Sequence, residues 1–386
     1  MVSLQGLGYL FSFLSIPLLI KKFGYDYSGI IFTTQSIVFA IAVLSNYSLS
    51  FYIPTKSKVI SDSIDAFKHY WTISVSIRLF LSIFFGVISI FICYFFIPEF
   101  FQFWLLSLPI LISKIISPNL FYNAVEHNKN ILFIGFISKL LYLIFIYFST
   151  NYMYINFSFA ISELIATILI INTDKRFKIT KIAAFKEVLL FIKQTYSLFL
   201  VNFVSLIKPA SILPIITLIF GSSYATIYTL ADKFINIIRT VSGASYTSFY
   251  PIFNKEKIGN QIINYKTVLT LFLFSIVIVI FVWFIAPYLI YSINNFKFND
   301  EASKILQILS FSIPVFFMII PFFSLLLENK KWNEILLFAL IQIGVLFSYY
   351  FFYHSNITNI AIGFVLSEYS MLFCYLLYTN IKKTTF

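Results

Sequence analysis

Nine ionisable residues interrupt the apolar stretches of this 386-residue chain, and they are its best candidates for chemistry. Six of them are cations and three are carboxylates, so the group carries net positive charge. Arginine offers paired hydrogen bonds to a phosphate and lysine offers a point charge, which predicts a phosphate-bearing anion as the ligand. A carboxyl group in a partly dry site can have a raised pKa, which predicts coupling to a proton or another cation. The predicted substrate-binding residues are Arg78, Lys114, Lys139, Lys208 and Arg239, the predicted ion-coupling residues are Asp232, Glu163 and Glu368, and Lys233 completes the nine.

The free-energy cost of these charges predicts a wet interior. A charge at the centre of a lipid-facing helix costs roughly 2.5 to 3.5 kcal/mol, so nine would cost on the order of 20 to 30 kcal/mol. Because that sum exceeds the net stability of a typical fold, we expect most of the nine to face an internal cavity. Snorkelling to the lipid headgroups is an equal alternative for Lys114, Lys139 and Lys233. A packing role is an equal alternative for Glu163 and Glu368.

One polar stripe supports the cavity. Tyr228, Asp232, Asn236 and Arg239 recur at steps of three or four residues and therefore share one face of a helix. Such a face is typical of a helix that lines a water-filled space. The alternative is that Asp232 and Arg239 are linked through Asn236 and only hold the helices together.

The composition requires a lipid environment around these residues. The chain is 60% hydrophobic and 11% charged, which is too few charged residues to cover a soluble fold of this size. A membrane-spanning helix needs about 20 apolar residues, and the first apolar stretch lacks the features of a removable signal peptide, so it is expected to remain as a span. Twelve spans are predicted, at 3–20, 29–53, 70–97, 100–121, 130–149, 152–171, 191–220, 224–249, 264–292, 304–327, 334–353 and 357–379.

Lysine and arginine in the loops predict the orientation of the spans. Fifteen of them fall on the side that also holds both termini, against four on the other side, so both termini are predicted to be cytoplasmic. This asymmetry accounts for most of the net charge of +12 without a nucleic acid as partner. The cytoplasmic set is Lys56, Lys58, Lys68, Lys129, Lys175, Arg176, Lys178, Lys181, Lys186, Lys255, Lys257, Lys330, Lys331, Lys382 and Lys383, and the opposite set is Lys21, Lys22, Lys297 and Lys304.

Residue patterns for catalysis and metal binding are absent from the sequence. His69, His127 and His354 fall on different sides of the predicted membrane, and Cys93 and Cys374 lie in separate apolar runs. No nucleotide-binding or hydrolase motif occurs, and no large external loop is available to hold the two sugar substrates of a membrane polymerase. We therefore predict a protein that is not an enzyme, with no catalytic residue, metal or cofactor.

A weak internal repeat at an offset near 200 residues predicts two halves. The segment 17–27 matches 214–224 at a proline, a glycine and a tyrosine, 126–132 echoes 328–336, and Phe-Ala-Ile-Ser-Glu at 159–163 matches Phe-Val-Leu-Ser-Glu at 364–368. Six spans per half, with both halves starting in the cytoplasm, predict parallel repeats around a cleft that opens by alternating access. The predicted boundaries are an N-terminal six-helix lobe at 1–172, a cytoplasmic linker at 173–190 and a C-terminal six-helix lobe at 191–386.

Several of these segments resemble the O-antigen and polysaccharide flippases of the Wzx type, within the multidrug/oligosaccharidyl-lipid/polysaccharide exporter superfamily. Residues 17–35 look like the first hairpin of that family, and Asn46-Tyr47 stands where an Asp-Tyr pair is common. Residues 123–140 resemble its turn between the fourth and fifth spans. Residues 231–233 and 249–251 resemble its eighth span and the exit from it.

The resemblance implies a flippase in the bacterial inner membrane. Its expected substrate is an undecaprenyl-pyrophosphate-linked oligosaccharide, moved from the cytoplasmic to the outer leaflet for O-antigen (lipopolysaccharide) or other surface polysaccharide biosynthesis. The implied partners are membrane lipids, a proton or sodium ion for coupling, and a polysaccharide polymerase with its chain-length regulator. The alternatives are an ion-coupled multidrug exporter of the same superfamily, which would favour an acidic or aromatic cavity, and an integral membrane polysaccharide polymerase.

Overall fold

The computed structural model describes residues 2–96, 98–124, 128–177, 182–254, 265–328 and 331–384. Within these ranges all regular structure is helical and no strand occurs, which confirms the prediction of an all-helical protein. Part of the loop-charge argument, at Lys178, Lys181, Lys255, Lys257 and Lys330, and part of the repeat match at 126–132 and 328–336 lie outside the described residues.

Contacts between helices divide the chain into two compact units. The N-terminal unit comprises residues 7–225, and the C-terminal unit comprises residues 226–386 together with 1–6. The predicted lobes, with their linker at 173–190, stay a prediction. Among the described residues, the α-helices that lie wholly or mainly in the N-terminal unit are α1 (Val2–Ser45), α2 (Leu49–Thr55), α3 (Ser57–Asp62), α4 (Ile64–Phe96), α5 (Phe101–Ser107), α6 (Pro109–Ile115), α7 (Asn119–Ala124), α8 (Asn128–Phe148), α9 (Ile155–Thr173), α10 (Phe185–Gln194) and α11 (Tyr196–Phe220).

The C-terminal unit contains fewer and longer helices. Its helix α12 begins at Ser222, and most of its length lies in this unit. Helices α16 and α17 pack against each other, and α13 packs against both α14 and α15. The helices are α12 (Ser222–Asn254), α13 (Tyr265–Ile293), α14 (Asp300–Ser310), α15 (Ile313–Glu328), α16 (Trp332–Phe352) and α17 (Ile357–Thr384).

The helices are those of a multi-pass membrane protein. Among the described residues, nine helical stretches are long and apolar enough to cross a membrane. The apolar part of α8 is shorter, at Phe133–Phe148, and the polar stripe lowers the hydropathy of α12. The predicted span 3–20 falls on the part of α1 before Gly24, and the predicted span 29–53 covers the part after Gly24 and reaches into α2. The number of twelve spans stays a prediction.

Two glycines from the matched repeat segments share an uncommon backbone conformation. Gly24 interrupts α1 at φ 80° and ψ 179°, and Gly221 ends α11 at φ 98° and ψ 166°. This region of backbone space is essentially restricted to glycine, because a Cβ atom would clash there. The chain changes direction sharply at both positions, and only glycine readily adopts the backbone conformation that this requires.

An aromatic core closes one end of the N-terminal unit. The indole nitrogen of Trp71 donates a hydrogen bond to the carbonyl of Phe177 at 2.9 Å, and both rings pack edge to face with each other and with Phe121. Next to this core, Arg176 Nη2 lies 2.7 Å from Asp174 Oδ2, outside the apolar helices. The hydrogen bonds to Asp174 raise the pKa of the Arg176 guanidinium, so this side chain keeps its positive charge.

Candidate functional site

Three of the predicted site residues meet where α6, α8 and α9 pack together in the N-terminal unit. Lys114 Nζ on α6 lies 2.6 Å from Glu163 Oε2 on α9. The hydroxyl of Ser113 donates a second hydrogen bond to the same carboxylate oxygen, at 3.1 Å. The charge of Lys139, on α8, also acts on Glu163. Two cations from different helices therefore act on one carboxylate, and we call Lys114, Lys139 and Glu163 the N-terminal cluster.

Aromatic rings hold the two lysines of this cluster. Lys114 Nζ lies 5.5 Å from the centre of the Phe39 ring, and Lys139 Nζ lies 4.5 Å from the centre of the Phe159 ring. A cation over an aromatic face is attracted by the electrons of the ring, and more strongly where water is excluded. Phe159 precedes Glu163 by one helical turn, so both project from the same face of α9. The rings and the carboxylate together fix the two ammonium groups.

A network of neutral polar groups is centred on Asn156, two turns before Glu163 on α9. The amide nitrogen of Asn156 on α9 donates to the hydroxyls of Thr34 and Ser107, both at 2.7 Å. Gln35 Nε2 donates to Asn156 Oδ1 at 2.9 Å and to the hydroxyl of Tyr142 at 3.3 Å. Asn156 is 1% exposed, and its amide joins the three helices α1, α5 and α9, while Gln35 adds α8. Each polar side chain finds a partner, as burial in an apolar unit requires.

The C-terminal unit contains a second cluster in which a cation pairs with a glutamate between helices. Arg239 Nη2 on α12 lies 2.9 Å from Glu368 Oε1 on α17. The other carboxylate oxygen of Glu368 accepts a hydrogen bond from Gln342 Nε2 on α16, at 3.0 Å. The Arg239 guanidinium lies 4.2 Å from the centre of the Phe316 ring and 5.5 Å from that of Phe364. We call Arg239, Glu368 and Gln342 the C-terminal cluster.

The polar stripe on α12 is divided between two partners. Asn236 donates to Asp232 Oδ2 at 2.6 Å, as the linked arrangement considered from the sequence requires. Arg239 instead forms its ion pair with Glu368, on another helix. The charges of Arg239 and Lys233 nevertheless act on Asp232, so the carboxylate belongs to the same electrostatic neighbourhood. The stripe therefore contributes both to packing and to the C-terminal cluster.

Two of the predicted substrate-binding cations are held differently. Arg78 on α4 is 1% exposed and donates through Nη1 to the carbonyls of Ile115 at 3.3 Å and Ser117 at 2.8 Å. These carbonyls lie at the end of α6, where a cation also meets the negative end of the helix dipole. Among the described residues no carboxylate lies within ion-pair distance of Arg78. Lys208 is 4% exposed within α11.

Several residues of these clusters were not singled out from the sequence. The amides Gln35, Asn156 and Gln342 each sit in an apolar stretch, and a buried amide in a membrane helix is a detectable signal. The phenylalanines that contact the cations carry no such signal, because 50 residues of the chain are phenylalanine. Two of these phenylalanines, Phe159 and Phe364, could have been found from the sequence, because they belong to the matched pentapeptides at 159–163 and 364–368.

The comparisons with known proteins concern the fold. No protein-family model matches the chain, and no curated protein matches it. The lipid II flippase MurJ, in an inward closed conformation, has a TM-score of 0.71 at 14% identity, over 98% of this chain and 86% of that chain. The chain therefore shares its fold with this flippase.

Two structures of multidrug resistance MATE family transporters, which belong to the MOP (multidrug/oligosaccharidyl-lipid/polysaccharide exporter) superfamily, also have a similar fold. The inward-facing one has a TM-score of 0.62 at 13% identity, covering 100% of this chain and 96% of that chain. The outward-facing one has a TM-score of 0.60 at 14% identity, covering 99% of this chain and 94% of that chain. The predicted exporter-superfamily fold is confirmed at this level, while the resemblance to Wzx-type flippases stays a prediction.

Proposed function

We propose that this protein is a flippase for an undecaprenyl-pyrophosphate-linked oligosaccharide, which it moves from the cytoplasmic to the outer leaflet of a bacterial inner membrane. The observation that carries the proposal is the N-terminal cluster, in which Lys114 and Lys139 surround a single carboxylate between apolar helices. The cluster contains two cations and one carboxylate, so its net charge favours an anionic ligand. The similar fold of the lipid II flippase MurJ supports a lipid-linked cargo.

Each part of such a substrate has a chemical counterpart in the chain. The cations bind the pyrophosphate by charge-assisted hydrogen bonds, which are strong where water is excluded. The neutral network around Asn156 offers amide and hydroxyl groups of the kind that hydrogen-bond to sugars. The polyprenyl tail stays in the lipid, and the two lobes rock to expose the site to one side and then the other. Asp232, Glu163 and Glu368 are the carboxylates proposed to couple this movement to a proton or sodium gradient.

Deletion of the protein tests this function. We expect undecaprenyl-linked oligosaccharide to accumulate on the cytoplasmic leaflet, where an added membrane-impermeant glycosidase cannot reach it. Wild-type protein restores access to the glycosidase, and the Lys114→Gln, Lys139→Gln double variant does not. An Asp174→Asn variant, which removes an ion pair outside the membrane helices, is the matched control and restores it fully. Unpolymerised units already on the outer face would contradict the flippase and indicate a polymerase.

A multidrug exporter is the second candidate, because MATE family transporters have the same fold. An exporter of cationic drugs needs carboxylates that are free to meet the drug, and Glu368 is instead engaged by Arg239 and Gln342. Under this alternative, deletion raises susceptibility to cationic dyes and leaves the lipid-linked oligosaccharide unchanged. Measuring both in one deletion strain separates the two functions.

A further inference from the structure

The pentapeptide Phe-x-x-Ser-Glu occurs at the matched positions 159–163 and 364–368, and we call it the FxxSE motif. In both copies the serine is buried and donates to the carbonyl of the phenylalanine, at 2.7 Å in the first and 2.6 Å in the second. The phenylalanine and the glutamate lie one helical turn apart, so they share a face. The motif therefore presents an aromatic ring and a carboxylate side by side in each unit.

Both copies of the motif hold a cation from another helix. Phe159 lies under Lys139, and Glu163 pairs with Lys114. Phe364 lies beside Arg239, and Glu368 pairs with the same Arg239. Two sequence-distant copies of one motif thus each contact a cation through both the ring and the carboxylate. Two lysines contact the first copy, and a single arginine contacts the second.

The cation of each pair is the more accessible member. The Lys114 side chain is 31% exposed and that of Glu163 is 14% exposed. The Arg239 side chain is 37% exposed and that of Glu368 is 9% exposed. A ligand that enters either site therefore meets the cation first, with the carboxylate behind it. The Glu368 contact uses Nη2 of Arg239, and a guanidinium has five N–H donors for further acceptors.

From this geometry we infer that the glutamate of each FxxSE motif is an exchangeable counter-ion, which the pyrophosphate of the substrate displaces from the cation. The inference rests on the proposed function and specifies how its site works when empty and when loaded. A cation held between apolar helices is stabilised by a nearby anion, so the empty site needs an internal one. When pyrophosphate arrives, it takes over that role, and the aromatic rings keep the cation in place. The glutamate thus competes with the substrate, and its removal tightens substrate binding.

Binding to the purified full-length protein in lipid nanodiscs tests the inference. The variants are Glu163→Gln and Glu368→Gln, each nearly the same shape as the wild type without the negative charge. With undecaprenyl pyrophosphate as the probe, we expect each variant to bind about tenfold more tightly than the wild type. Undecaprenol, which lacks the pyrophosphate, is expected to bind all proteins equally. Inorganic pyrophosphate as a third probe distinguishes a free anion from a lipid headgroup.

Control variants separate a binding role from a structural one. Asp174→Asn removes a comparable ion pair outside the membrane helices and is expected to leave binding unchanged. If a glutamine variant does not fold, Glu163→Asp and Glu368→Asp replace it in the test. They keep the negative charge on a shorter side chain, so we expect a smaller gain in affinity.

Each outcome decides between the two proposals. Tighter binding in the charge-removing variants supports the exchangeable counter-ion. If the wild type binds undecaprenyl pyrophosphate and the variants bind it equally tightly or more weakly, the inference is overturned but the proposed flippase function is not. Wild-type binding no tighter than that of undecaprenol, with no accumulation of lipid-linked oligosaccharide on deletion, overturns both.

Discussion

The N-terminal and C-terminal clusters contain the same motif but differ in net charge. The N-terminal cluster has two lysines around one glutamate, which leaves one positive charge. The C-terminal cluster, with the neighbouring Lys233 and Asp232, has two cations and two carboxylates, which leaves none. The same motif is thus surrounded by different charges in the two units. Under the proposed function, we expect the N-terminal cluster to bind an anionic substrate more tightly than the balanced C-terminal cluster does.

The two units also differ in how closely their helices approach at a glycine, and this gives the largest expected effect. A Cβ atom at Gly29 would lie 1.8 Å from the backbone oxygen of Ser222, whereas one at Gly363 would lie 2.7 Å from a side-chain atom of Tyr349. Backbone cannot move aside as a side chain can. We expect Gly29→Ala to lower the free energy of unfolding by about 3 kcal/mol and Gly363→Ala by about 1 kcal/mol.

Thermal unfolding in detergent, followed by the fraction of protein that stays monodisperse, measures this difference. Equal losses in the two variants would show that the close approach near Gly29 can relax, and that the two units tolerate added volume alike.

Removing cations from each cluster tests the difference in charge directly. The Lys114→Gln, Lys139→Gln double variant removes both positive charges of the N-terminal cluster, and we expect it to slow flipping about 100-fold. Arg239→Gln leaves the N-terminal cluster intact, and we expect it to slow flipping about tenfold. The measurement is the initial rate of transfer of undecaprenyl-pyrophosphate-linked oligosaccharide in proteoliposomes. A larger loss from Arg239→Gln would assign the substrate to the C-terminal cluster instead.

The amides that support the clusters give the smallest expected effect. Asn156 makes hydrogen bonds to Thr34, Ser107 and Gln35, whereas Gln342 makes one to Glu368. Hydrogen bonds between membrane helices contribute little individually, so we expect Asn156→Ala to cost about 1.5 kcal/mol and Gln342→Ala about 0.6 kcal/mol. Unfolding by increasing denaturant measures both values. A cost from Gln342→Ala that matches Asn156→Ala would mean that the C-terminal cluster depends on its amide as much as the other unit does.

The pattern of residue types was sufficient to predict much of this molecule. Apolar stretches of about 20 residues predict membrane helices because the backbone must satisfy its own hydrogen bonds in lipid. The spacing of Asp232, Asn236 and Arg239 predicts a shared face because the period of a helix is fixed. The match between the two FxxSE motifs could be detected because identical residues recur in order. Each of these signals is local, or compares two local segments.

The sequence by itself determined which residues carry charge in an apolar chain, and therefore that those charges need polar company. Only the tertiary structure decided which partners they have. Glu163 could pair with any of six cations by composition, and it pairs with Lys114 because α6 packs against α9. The sequence did not indicate that Arg78 donates to carbonyls at the end of α6, and its role in substrate binding stays a prediction. The partners are set by the packing of helices far apart in sequence, and helical periodicity fixes which face a residue occupies but not which helix it meets.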